Sequence, residues 1–215
     1  MDPVSAYSQA PTYPEHGLRG RVGSALSERS RRKRLRTFLE LIGPQAGDRI
    51  IDIGCGPGSF LTGLGAEVQV TGVDLIPDPP AALQGSGRTY VQGDALALPF
   101  KDGEFDIAFS NSVIEHLAPD TWQRFASEVR RVARRYFVQT PNRHFPIEPH
   151  ALLPLVQYLP PKPRAVAWRL SITRSPYEEI TLLTADQLRE LFPDASVLRE
   201  RFGPLTKSLL AIRDY

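Results

Sequence analysis

An α/β fold built on a doubly wound, mostly parallel sheet is predicted by three observations. Short apolar segments alternate with helical ones along the chain. The first of them, RIIDI (49–53), runs straight into a glycine-rich turn, GCGPG (54–58). The last two, SVLRERF (196–202) and TKSLLAIR (206–213), are joined through Gly203 and Pro204. Alternating strands and helices imply βαβ units, and so a parallel sheet with helices on both faces. The final connection is too short for a parallel crossover, so that pair is expected as an antiparallel hairpin closing the sheet.

Residues 1–22 carry Pro, Tyr, Ser and Gly without periodicity and are expected to form a flexible tail or lid. Residues 23–215 then form a single domain. Within it Leu35, Phe38, Leu39 and Ile42 fall at i, i+3, i+4 and i+7, one face of a helix starting near Ser24, and Gly43–Pro44 stop it. Strands follow at EVQVTGVDL (67–75), RTYVQ (88–92), EFDIAFS (104–110) and YFVQT (136–140). Between the last two, Trp122, Phe125, Ala126, Val129, Val132 and Ala133 make a second helical stripe. A helix is expected over TADQLRELF (184–192). Before it lies an insert, residues 141–183, broken by seven prolines between Pro141 and Pro163.

Composition narrows the function classes. No apolar run approaches the roughly 20 residues that cross a bilayer, and the N-terminus lacks a basic then apolar leader, so a soluble, cytoplasmic protein is expected. One cysteine, Cys55, excludes an internal disulfide and a cysteine-based zinc cage. The net charge is +2, yet six of the eight residues Arg29–Arg36 are basic, which leaves 20 basic against 24 acidic residues elsewhere.

In open α/β sheets ligands bind outside the carboxyl ends of the strands, where glycine lets backbone approach closely. The dinucleotide pattern G-x-G-x-x-G is met by Gly54 and Gly56, but Ser59 occupies the third glycine position and Pro57 removes an N–H. Asp74 ends the next strand, placed to accept from both hydroxyls of a ribose. Asp94 follows the third strand, placed to accept from an adenine amino group. The set describes an adenosine pocket with no provision for phosphate.

The ordered motifs DIGCGPG (52–58), VDL (73–75), GDALALPF (93–100) and FDIAFSNSVIEHL (105–117) resemble those of class I S-adenosylmethionine-dependent methyltransferases, nearest the type 11 group. That resemblance implies a Rossmann-like sheet of seven strands, the last antiparallel, with S-adenosyl-L-methionine as cofactor. It also implies that Asp52, Gly54, Cys55, Gly56 and Gly58 line the methionine end, and that Asp74 and Leu75 meet the ribose. Asp94 and Ala95 would meet the adenine, and Ser110 and Asn111 the methionine carboxylate and methyl group.

Methyl transfer from a sulfonium is an in-line displacement, so alignment dominates, and a base assists when the acceptor is a hydroxyl. Of the histidines His16, His116, His144 and His150, the last is the first choice and His116 the second. His150 belongs to TPNRHFPIEPH (140–150), which gathers Asn142, Arg143, His144 and Glu148 after the fifth strand, and Glu148 could orient its ring. The expectation is methylation of a small molecule, most directly at oxygen. No carboxylate cluster spells a metal site, so no metal is expected.

The insert is apolar around Tyr158 and Trp168, which suits an apolar or aromatic acceptor or a peripheral membrane contact. Two alternatives compete. The basic run could serve RNA methylation, although it lacks the stacking aromatics of RNA modules, and nucleic acid is not the expected partner. A nucleotide-binding oxidoreductase is disfavoured by Ser59.

Overall fold

The computed structural model describes residues 32–56, 61, 64–77, 83, 88–148, 150–171, 177 and 179–215. The expected tail over 1–22, His16 and Gly58 lie outside them.

The first described element is a helix over 32–42, α1. It buries Phe38 and Ile42 with Leu35 half-buried beside them, whereas Leu39, expected on the same face, is 42% exposed. Its stripe is therefore narrower than the spacing implied. Phe38 sets its ring edge on Phe109 (5.1 Å) and Phe137 (5.7 Å), which stack on each other at 5.5 Å. Gly43, at φ +57°, ends the helix by donating its N–H to the Leu39 carbonyl (3.0 Å).

The strands are β1 (Arg49–Ile53), β2 (Gln69–Asp74), β3 (Arg88–Gln92), β4 (Phe105–Asn111), β5 (Ala133–Pro141), β6 (Ile147–Glu148), β7 (Leu153–Pro154), β8 (Ser196–Phe202) and β9 (Leu205–Arg213). Seven of them form one sheet in the order β3-β2-β1-β4-β5-β9-β8. The first five are parallel; β9 runs antiparallel to β5, and β8 antiparallel to β9. The C-terminal hairpin expected from its short turn is thus present.

Alternation along the central strands divides the core between the two faces. Ile51, Ile53, Ala108, Tyr136 and Val138 pack with α2 (Trp122–Val132) and α4 (Ala185–Leu191), while Ile50, Ile107, Phe109 and Phe137 pack with α1. Burial of each of these large side chains contributes about 1.5–3 kcal/mol. α2 stops one residue short of its expected stripe because Ala133, at φ −140° and ψ 150°, already begins β5. Thr184 caps α4 in a reciprocal capping box with Gln187.

The insert holds the β6–β7 hairpin and α3 (Pro161–Trp168), whose first residue is the proline that helix starts tolerate. Asn142 closes its base by bridging Leu183 and donating its side-chain N–H to the Thr206 carbonyl at 2.9 Å. The chain leaves β1 toward β2 and β3 and returns on the other side as β4 and β5. The carboxyl ends of β1 and β4 therefore flank the switch point at which such sheets bind ligands.

Candidate active site

The two described glycines after β1 do different work. Gly54, at φ +73°, would push a Cβ to 2.3 Å from Val113 Cγ2, so its bare backbone makes room for the loop after β4. Its N–H and that of Cys55 both donate to the Val73 carbonyl, at 2.8 and 3.2 Å. Gly56, at φ +57°, has no described residue within 4 Å of where a Cβ would stand, and it donates its N–H to Asp74 Oδ2 at 2.7 Å. The other Asp74 oxygen accepts from the Ile76 N–H at 3.3 Å. These bonds hold the half-buried carboxylate at the tip of β2 beside the turn.

Asp52 and Cys55 are buried, and Leu75 is half-buried. Burial first, then the charges of Asp52 and Asp74, push the Cys55 thiol far above its ordinary range, so it stays protonated and is no nucleophile. Asp94 is exposed; its Oδ1 accepts the Leu96 N–H (2.8 Å) and its carbonyl the Ala97 N–H (2.9 Å), forming a tight turn around half-buried Ala95. The segment that follows is clamped to α2. Glu128 accepts the Leu98 N–H at 2.7 Å, and Arg131 donates to the Phe100 and Leu98 carbonyls at 2.7 and 3.1 Å.

At the carboxyl ends of β4 and β5 the polar side chains concentrate. Ser110 donates its hydroxyl to the Ile53 carbonyl (3.1 Å), stitching β4 to β1. Asn111 Oδ1 and Gln139 Nε2 are buried without a hydrogen-bond partner among the described residues. Ser112, at φ +56°, donates its N–H to the Gln139 carbonyl (2.9 Å) and its hydroxyl to Gln139 Oε1 (3.2 Å). Gln139 was not singled out by sequence because it reads as one more position of a buried strand.

Just beyond, the turn Ile114–His116 carries wholly buried Glu115 and half-buried His116. The insert brings His150 back to it, with the two imidazole rings edge to face at 5.0 Å. Behind His150, buried Glu148 has Oε1 at 2.9 Å from Nδ1, while its other oxygen accepts the Ala151 N–H. The fold thus assembles Glu148, His150 and His116 in one place. His144 lies exposed, with its N–H donated to Asn142 Oδ1 at 3.3 Å, and Arg143 is exposed beside it. In the basic run, Lys33 pairs with Glu200 of β8 at 3.1 Å.

Residues 51–136 match the family model described as a methyltransferase domain. An uncharacterized methyltransferase from Mycobacterium sp. strain JLS is 40% identical over 95 residues, 41% of this chain and 35% of the relative. Residues 51–136 are a class I methyltransferase domain. Another uncharacterized methyltransferase, from Mycobacterium tuberculosis strain H37Rv, is 37% identical over 97 residues, covering 42% of this chain and 37% of that one. The match spans little more than a third of the length of these relatives. A solved protein from Pyrococcus horikoshii OT3 superposes with a TM-score of 0.61 at 20% identity, covering 97% of each chain. The magnesium protoporphyrin IX methyltransferase of Synechocystis PCC 6803, crystallised with S-adenosylhomocysteine, superposes at 0.60 and 14% identity, covering 93% of this chain and 89% of that one.

These likenesses establish the fold, and the family is one that uses S-adenosylmethionine. The residues of the methyltransferase domain fit that cofactor. Gly56 has open space beside it among the described residues, Asp74 holds a carboxylate at the tip of β2, and Asn111 Oδ1, without a partner among the described residues, offers an acceptor at the sheet edge. No helix among the described residues is long and apolar enough to cross a membrane.

Proposed function

We propose that this chain transfers a methyl group from S-adenosylmethionine to an oxygen of a small-molecule acceptor. The observation that carries the reading is the Glu148–His150–His116 group at the carboxyl edge of β4 and β5, beside the cofactor motifs. When bound, the cofactor supplies an electrophilic methyl on a sulfonium, so the protein has to hold the acceptor in line and help its hydroxyl lose a proton.

Asp74 takes the ribose hydroxyls, with Leu75 against the nucleoside. Asp94 and Ala95 take the adenine edge, and Asp52, Gly54, Cys55 and Gly56 line the amino-acid end with Ser110 and Asn111. The buried Glu148 carboxylate fixes the His150 ring, which with His116 activates the acceptor hydroxyl. Exposed Leu155, Tyr158, Val166 and Leu170 supply the insert with an apolar surface, which supports an apolar or aromatic acceptor and offers the place for any membrane contact. A free cytoplasmic enzyme accords with this reading.

The experiment is to incubate the full chain with S-adenosylmethionine and a panel of phenols and other hydroxyl compounds, following S-adenosylhomocysteine release. Transfer to oxygen is expected, with turnover of His150→Ala greatly reduced at saturating acceptor. Unchanged turnover in that variant removes His150 from the chemistry, and methylation confined to RNA would replace the small-molecule reading.

A further inference from the structure

We propose that Glu115, His116 and His150 form a binding site for a divalent first-row transition-metal cation at the acceptor edge. What the cation does there rests on the methyl-transfer reading above, whereas the site itself rests on geometry. One ring nitrogen of each histidine and one Glu115 carboxylate oxygen all lie within 4.8 Å of one another. A cation about 2.1 Å from each donor needs donors roughly 3.4 Å apart at tetrahedral angles, so closure asks for movements on the order of an ångström. His150 and Glu115 are far apart in sequence, and the fold of the insert brings them together.

Glu115 is the independent sign of a ligand. It is 0% exposed, and its Oε2 accepts the Thr140 hydroxyl at 3.0 Å while its Oε1 is buried with no hydrogen-bond partner among the described residues. A carboxylate oxygen cut off from water and from donors is costly, and a cation beside it reverses the cost. Its surroundings also hold it still. Thr140 is part of β5, and the Glu115 carbonyl accepts the Thr181 N–H at 2.9 Å, so sheet and insert both fix the turn that carries it.

The second histidine has the outer partner that metal-bound imidazoles use. Glu148 lies 2.9 Å from Nδ1 of His150; a ring that donates Nδ1–H to a carboxylate carries its lone pair on Nε2, and the carboxylate raises its basicity. Two imidazoles and one carboxylate suit Mn²⁺, Fe²⁺, Co²⁺, Ni²⁺ or Zn²⁺ better than Ca²⁺ or Mg²⁺, which prefer oxygen donors throughout. Three protein ligands leave a position open for substrate. An acceptor hydroxyl bound there gives up its proton to water more readily. The oxygen then forms its bond to the methyl carbon as the carbon–sulfur bond breaks and its electron pair stays on sulfur.

The test is a Co²⁺ titration of the chelator-stripped full chain, read by visible absorption, with calorimetry of S-adenosylhomocysteine on the same samples. One Co²⁺ per chain is expected, with the band abolished in His116→Ala and His150→Ala. Glu115→Gln, which keeps the shape and the Thr140 contact, should also lose it, and Glu148→Gln should bind about 10–100-fold more weakly. Absence of uptake by the wild type, or uptake unchanged in these variants, overturns the site. S-adenosylhomocysteine bound without Co²⁺ uptake defeats the cation site alone. Co²⁺ held by the three residues without S-adenosylhomocysteine binding keeps the site and defeats its role in methyl transfer.

Discussion

Gly56 donates its N–H to Asp74 Oδ2 at 2.7 Å, tying the turn after β1 to the tip of β2. The bond holds a carboxylate in place without consuming all its lone pairs, as the proposed contact with the ribose requires.

The two described glycines of that turn should therefore respond differently to substitution. Gly54→Ala combines φ +73° with a Cβ 2.3 Å from Val113 Cγ2, so the fold should lose stability by well over the ~1–2 kcal/mol of left-handed strain alone. Gly56→Ala meets that strain and no clash with a described residue, and should fold while binding S-adenosylhomocysteine more weakly. Thermal melts and calorimetry on both variants check this; equal melting temperatures would contradict it.

Glu128 and Arg131 should give the domain an acid-sensitive component. Hydrogen bonds from Arg131, against the opposing effect of burial and helped by the Leu98 N–H, hold the Glu128 carboxyl below its ordinary 4.5. A carboxyl lowered in the folded state stabilises above the unfolded value, and that stability is lost as pH falls below 4.5 toward the folded value. Glu128→Gln should cost about 1.5–3 kcal/mol at neutral pH and flatten this part of the acid profile. Denaturant unfolding across that range measures both, and an unaltered profile would count against the clamp.

Much of this was legible in advance, and the exceptions have physical causes. β1 and β3 end where apolar runs meet glycine, so their bounds agree with the expectation; β5 starts earlier, at Ala133, because a small residue at a helix end carries no signal separating it from the strand that follows. Leu39 fits the helical spacing but projects beyond the contact made by Phe38, a distinction of position around α1 that periodicity does not resolve. The places of Gly54, Gly56, Asp74 and Asp94 in the fold could be read because they sit at strand ends that local patterns mark. The meeting of Glu115, His116 and His150 depends on how a proline-broken insert folds back, and no local spacing encodes that.

The basic helix should contribute little to nucleic-acid affinity. Lys33 already pairs with Glu200, whose carboxyl is lowered below its ordinary value; burial opposes that shift, and the hydrogen bond to Lys33 with the charges of Arg34, Lys33 and Lys207 overcomes it. Retention on heparin is expected to vanish at moderate salt, with a shallow dependence of affinity on salt. A steep dependence for RNA would reinstate nucleic acid as the partner.

The most direct measurement is calorimetry of S-adenosylhomocysteine, and separately of NAD, with the full chain and with Asp74→Ala. The wild type should bind S-adenosylhomocysteine and not NAD, and the variant should bind it more weakly by about 1–3 kcal/mol as ribose hydroxyls lose their acceptor. Equal affinity in the two proteins, or binding of NAD alone, would contradict it.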